Sequence, residues 1–129
     1  MYVDSDIFYA LLKPSDFNRD LAQRIARDSG TAKVTSVMTL VELAIVAKRD
    51  LGEPDSLGLK RRIKSLVPRL RILPLTCAQM ARSDGLRTRY GLGIFDAVHA
   101  SVCLEQDGLM ASSDEAFDRV AGIRRVKRS

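Results

Sequence analysis

Asp4, Glu42, Asp96 and Asp114 are the residues whose types and placement could do chemistry in this chain. Asp4 follows the short apolar pair Tyr2-Val3, and Asp114 comes just after Leu109-Met110-Ala111. Both read as acids at the carboxyl end of a strand, the edge of an open α/β sheet where ligands bind. Glu42 interrupts the apolar run Leu40-Val41-Glu42-Leu43-Ala44, and Asp96 stands between Phe95 and Ala97. Acids in such surroundings are rarely tolerated without a partner. Carboxylates gathered in one pocket repel each other and stay ionised together only around cations, and oxygen-rich sites suit Mg2+ or Mn2+. Such ions on a phosphodiester activate a water and stabilise the leaving oxygen, so no histidine, serine or cysteine nucleophile is required.

Each acid also has a bland reading. Asp4 can cap the first helix and Asp114 the short helix after the fourth strand. Glu42 can complete a capping box with Thr39. Asp96 can be a helix-start acid held by the macrodipole. What sets the group apart is that acids on separate elements converge on one sheet edge. His99 is the only histidine; one turn after Asp96, it reads as a packed or locally bonded side chain rather than a catalyst. Cys77 and Cys103 form neither a CxxC pair nor a zinc spacing, and read as small buried apolar residues.

The elements that must position these acids alternate between strand and helix. Tyr2-Val3 runs into a helix near 5–12, stopped by Pro14. A second helix covers 17–28, with Gly30 beyond its end. Residues 33–37 are β-branched and read as strand two, followed by a helix over about 38–50 that ends near Gly52. Glu53-Pro54-Asp55 opens a helix to about Val67, Leu70 to Leu73 is strand three, and Thr76 with Gln79 fits a capping box for a helix to about Arg89. After the loop Tyr90 to Gly93, the helix near 95–106 is apolar almost all round, which predicts burial on several sides. Residues 109–111 are strand four, 114–121 a short helix and 123–126 a fifth strand or edge. The alternation predicts a parallel sheet of about five strands with helices on both faces and right-handed crossovers.

At 129 residues the chain is expected to be one α/β domain spanning 1–129. Hydrophobic residues at 46% and charged residues at 29% are ordinary for a globular protein. No apolar run approaches the roughly 20 residues a membrane helix needs. Met1 leads directly into a strand with no basic region or cleavage site, so the expected location is the cytoplasm and no membrane partner is expected. A net charge of +5 and a pI near 9.6 favour an anionic partner. Aromatics are scarce and Trp is absent, which argues against a binder that stacks single-stranded bases. The basic residues group at Lys60 to Lys64, at Arg82, Arg87 and Arg89, and from Arg119 to Arg128. Each group is a solvated surface or a phosphate contact, and the segment Arg124-Arg125-Val126-Lys127-Arg128 is the strongest candidate for the second.

Four segments in order, Tyr2 to Asp6, Ser36 to Leu43, Tyr90 to Ala97 and Met110 to Phe117, resemble the motifs of PIN domains, most closely those of VapC-type toxins of toxin–antitoxin pairs. The resemblance implies a PIN-like fold with a five-stranded parallel sheet and Mg2+- or Mn2+-dependent endoribonuclease activity. It implies that Asp4, Glu42, Asp96 and Asp114 are the metal-binding and catalytic acids. Ser112 matches a small hydroxyl residue before the last acid, with a substrate or supporting contact implied. Asp6 falls where the family often carries a polar residue that helps orient the first acid. Many members have a further acid just before the final Phe of the last motif; here that position is Ala116, and Asp118, two residues on, is the candidate substitute. One tightly held ion, with a second arriving with RNA, fits that smaller acid set. The family also implies an RNA substrate, a cognate VapB-like antitoxin and a homodimer.

Two other readings compete. Asp4-Ser5-Asp6 resembles the nucleophile motif of haloacid dehalogenase-type phosphohydrolases, with Asp4 as nucleophile and Asp114 with Asp118 as a later acidic pair; it leaves Glu42 and Asp96 without a role. The absent acid at Ala116 supports a non-catalytic PIN-like module that binds RNA or protein.

Overall fold

Tyr2 and Val3 are both completely buried, and they face opposite ways, because successive side chains of a strand alternate between the faces of its sheet. Tyr2 joins one hydrophobic core and Val3 the other. A strand buried on both faces has to be central. In the computed structural model, which describes residues 1–46, 49 and 55–126, it is. β1 (Tyr2–Val3) pairs in parallel with β2 (Val34–Ser36) on one side and β4 (Leu109–Ala111) on the other. β3 (Arg71–Leu73) extends the sheet beyond β2, and β5 (Arg124–Val126) beyond β4. The five strands are all parallel and run in the order β3-β2-β1-β4-β5. The fifth element is thus a paired strand.

Helices cover both faces. α1 (Ser5–Leu12), α2 (Arg19–Arg27), α3 (Val37–Val46) and α4 (Ser56–Leu66) pack on the Val3 side through Ile7, Phe8, Leu21, Leu43, Leu59 and Ile63. α5 (Cys77–Tyr90) and α6 (Ile94–Glu105) cover the Tyr2 side, where Ala97, Ala100, Met110 and Phe117 meet. Every residue of α6 from Ala97 to Cys103 is buried, as its all-round apolar pattern predicts. Among the described residues no helix is long and apolar enough to cross a membrane.

The local signals act as physical chemistry requires. Thr76 and Gln79 form the reciprocal capping box of α5, with bonds of 3.1 and 2.9 Å. Gly91 ends that helix at φ 67°, a left-handed position that costs glycine little. Asp55 caps α4 through Gly58 N–H. Three expectations are corrected. The short helix after β4 is a single 3₁₀ turn, Glu115–Arg119. Cys77 opens α5 and is exposed, whereas Cys103 is buried and its thiol is pushed up to about 12 by burial. The Thr39–Glu42 capping box does not form: α3 already begins at Val37, and the Thr39 hydroxyl pairs with that of Thr35 at 2.7 Å. The expected end of that helix near Gly52, the turn at Glu53-Pro54 and the tail at Lys127-Arg128 lie outside the described residues.

Candidate metal centre at the carboxyl edge of the sheet

β1 is so short that its end, and Asp4 with it, lies above the middle of the sheet. The Asp4 N–H donates to Ala111 O at 2.9 Å, which carries the β1–β4 ladder one residue further. The carboxylate is nearly buried, 4% exposed, and both oxygens are held. Oδ1 accepts from Ser5 N–H at 2.7 Å, so Asp4 does cap α1, and Oδ2 accepts from the Ser112 hydroxyl at 2.8 Å. A cap and a site residue are here the same side chain.

Ser112 also accepts the Asp114 N–H at 3.0 Å and so joins the first and last acids through one hydroxyl. Asp114 is exposed and caps the 3₁₀ turn through Ala116 N–H at 2.9 Å. Asp96 stands in the first turn of α6. Its carboxyl is pushed up to about 7 by burial, then by the charges of Asp4 and Asp114, against a smaller lowering from His99. Glu42 reaches in from α3 and meets Nε2 of His99, and the same nitrogen lies 3.4 Å from Asp4 Oδ1. The four acids named from the sequence therefore share one patch at the carboxyl edge.

Asp6 lies beside that patch and is bonded to Ser113. Its Oδ2 accepts from the Ser113 N–H at 2.8 Å and from the Ser113 hydroxyl, while its Oδ1 is buried with no partner. Burial and the charge of Asp4 push it up to about 7, although the Ser113 bonds pull the other way. Asp118 forms a two-pronged pair with Arg125 at 3.0 and 2.9 Å, and Arg125 also donates to Ser112 O at 3.2 Å. Asp118 thus braces the backbone that carries Ser112. The same contacts occupy Arg125, which sequence reasoning counted among phosphate-binding cations. Lys60, Arg61, Lys64, Arg87 and Arg89 are exposed.

His99 is the residue whose place in the site sequence reasoning missed. It is packed, as expected, but its partners are not local: they are Glu42 and, through Nδ1 at 2.6 Å, the Tyr2 hydroxyl. The available signal was its spacing: residues three apart share a helix face, so the face of α6 that presents Asp96 also presents His99.

The donor chemistry fits a hard divalent cation. Asp4, Glu42 and His99 bring one polar atom each within 4.8 Å of one another, and the carboxylate oxygens of Asp4 and Glu42 are the hard donors such an ion takes. Beside Glu42 and Asp6 opens a cleft of about 410 Å³, walled by Tyr9, Leu43, Ile45 and Phe95.

The PIN domain family profile matches residues 1–123. No curated protein matches the chain. Solved structures with the same fold include VapC20 of Mycobacterium tuberculosis, a sarcin-ricin loop cleaving toxin, at 17% identity and TM-score 0.76, covering 91% of this chain and 92% of that one. A toxin–antitoxin complex from Klebsiella pneumoniae matches at 18% identity and TM-score 0.70, over 95% and 94%. FitAcB of Neisseria gonorrhoeae matches at 19% and 0.68, over 98% and 96%.

Proposed function

This chain belongs to the PIN domain family, and from that premise we propose that it is a Mg2+- or Mn2+-dependent endoribonuclease, the toxin of a toxin–antitoxin pair. The observation that supports the proposal is that Asp4 and Glu42, on separate elements, bring carboxylate oxygens within 4.8 Å of each other and of His99, with Asp96 close enough to feel the charges of Asp4 and Asp114. Those four acids are the proposed ligands. A divalent ion held there supplies an activated water and stabilises the leaving oxygen of a phosphodiester.

The rest of the work falls to the protein. Ser5 and Ser112 fix both oxygens of Asp4, so its carboxylate is aimed before any ligand arrives. Ser112 fixes the turn that carries Asp114, and the Asp118–Arg125 pair fixes Ser112 in turn. Asp6 orders the neighbouring Ser113. The exposed cations of α4 and α5 attract RNA phosphates, so binding weakens as salt rises. Partnership with an antitoxin is supported by the fold shared with a toxin–antitoxin complex. Function as a homodimer in the cytoplasm, as one unit over 1–129, belongs to the same proposal. The phosphohydrolase reading gains nothing from this arrangement, since Asp118 is paired with Arg125 and not with Asp114.

The test is cleavage of RNA by the purified protein with Mg2+ or Mn2+. Asp4→Asn and Asp96→Asn are each expected to cut activity at least a hundredfold while the far-ultraviolet spectrum stays that of the parent, a loss on the scale of a damaged metal centre. An Asp4→Asn protein that cuts RNA at the parent rate overturns the assignment. Folded parent protein that binds no Mn2+ at millimolar concentration favours the non-catalytic module, for which the Ala116 position speaks.

A further inference from the structure

His99 is fully buried, yet it is a polar ring that meets Tyr2, Glu42 and Asp4. Nδ1 meets the Tyr2 hydroxyl at 2.6 Å, and that hydroxyl meets Ser36 Oγ at 2.8 Å. Ser36 Oγ in turn accepts from the Met38 N–H at 3.2 Å. On the other side, Nε2 meets Glu42 and lies 3.4 Å from Asp4 Oδ1. The chain of contacts links β1, β2, α3 and α6 beneath the acid patch.

Donor and acceptor accounting fixes one proton. An ionised carboxylate only accepts, so the Nε2–Glu42 contact requires a hydrogen on Nε2. The other side of the ring agrees with this. Ser36 Oγ accepts the Met38 N–H and keeps a second lone pair, so it can donate to Tyr2 Oη or accept from it. When it donates, the Tyr2 hydroxyl donates to Nδ1, and a neutral ring that accepts at Nδ1 carries its hydrogen on Nε2. If the ring is doubly protonated, the two hydroxyl bonds reverse and Nε2 still donates. Both states deliver the same hydrogen to Glu42.

We propose that His99, oriented by Tyr2 and Ser36, is a positioning residue that holds the Glu42 carboxylate against Asp4 at ligand spacing, so that a divalent cation meets a preformed pair. This rests on the metal-dependent reading above. Glu42 sits on a long side chain, 23% exposed, whose rotamer freedom is costly to freeze on binding. Asp4 needs no such help, because Ser5 and Ser112 already hold it. Groups that orient metal ligands from behind carry affinity almost as the ligands do.

The experiment is Mn2+ titration by calorimetry, with melting temperature read beside it, on the parent, His99→Gln, His99→Leu and Tyr2→Phe proteins. His99→Leu is expected to lose about tenfold to hundredfold in Mn2+ affinity. His99→Gln, whose amide keeps an N–H near the position of Nε2, is expected to recover most of that loss. Tyr2→Phe keeps the packing and frees the ring to turn, and is expected to weaken Mn2+ by about threefold to tenfold. Folded His99→Leu with parental affinity overturns the proposal; if His99→Leu does not fold, parental affinity in Tyr2→Phe does so instead. Direct ¹⁴N coupling in the spin-echo spectrum of bound Mn2+ also overturns it, since His99 would then be a ligand. A parent protein that binds no Mn2+ removes the metal-dependent reading itself, and this inference with it.

Discussion

The two ends of the same sheet handle charge in opposite ways. At the amino edge, charged groups are matched locally. The Met1 amine bonds Asp107 and Ala32 O, each at 2.9 Å. The Lys33 ammonium donates to the Asp28 and Thr31 carbonyls. Burial alone would raise Asp107, but the Met1 amine and the Leu109 N–H bring it below the usual carboxylate range. Asp28 is held low by the Gly30 N–H and the Thr31 hydroxyl. At the carboxyl edge Asp6 and Asp96 are instead raised to about 7, by burial and by neighbouring acids. Acids are thus matched by nearby donors at one edge and crowded against one another at the other.

The largest effect expected from this contrast is on stability against pH. A group whose folded pKa is raised stabilises the fold fully below its unfolded pKa, and that stability is lost as pH rises through the folded value. For Asp6 and Asp96 the window runs from about 4 to about 7. His99 acts in the same direction: burial alone would lower it, but Tyr2, Asp4 and Glu42 hold it well above 6.5, so its contribution is also lost as pH rises. Metal-free protein should therefore melt at a lower temperature at pH 8 than at pH 5. Mn2+ at a hundredfold over its Kd should restore about 2.7 kcal/mol at pH 8, or roughly 10 °C in melting temperature. A metal-free melting temperature that climbs from pH 5 to pH 8 breaks the contrast.

How much of this was readable beforehand depended on how local each cause is. The sheet was legible because Tyr2-Val3, Val34 to Ser36 and Leu109 to Ala111 are apolar or β-branched runs separated by helical patterns, and alternation forces parallel pairing. Asp4, Glu42, Asp96 and Asp114 were legible as acids out of place. The local caps that Asp4 and Asp114 make were legible too, but the contacts that cross the fold were not readable from spacing. Ser112 reaches Asp4 across 108 positions and His99 reaches Glu42 across 57. The Arg125 partner of Asp118, on the adjoining strand, was equally hidden. The 3₁₀ turn at Glu115–Arg119 was taken for a helix because both begin with the same capping acid.

A smaller effect sharpens the contrast within the site. Asp6 contributes a negative charge beside Asp4 and a buried oxygen without a partner. Asp6→Asn keeps an acceptor for the Ser113 bonds and removes the charge. It should raise the melting temperature of the metal-free protein at pH 8 by roughly 4 °C, equivalent to about 1 kcal/mol. The gain should shrink toward pH 5, where the parent carboxyl is mostly protonated. A gain of equal size at both pH values would mean that the charge is not the cause.

The smallest effect belongs to the amino edge. Asp107 is paired with the Met1 amine, but its side chain is 51% exposed, so solvent screens the pair. Asp107→Asn leaves the amine its bond to Ala32 O and should cost only about 0.5 kcal/mol at pH 7, or roughly 2 °C. The sign of its pH dependence is opposite to that at the site. The folded pKa of Asp107 is lowered, so its stabilisation is present above about 4 and is lost as pH falls through the folded value. Parent and variant should therefore differ at pH 7 and converge in strong acid, and raising salt at pH 7 should narrow the gap. If the gap instead widened as pH fell, the amino edge would share the frustration of the site, and the division of charge between the two edges would not hold.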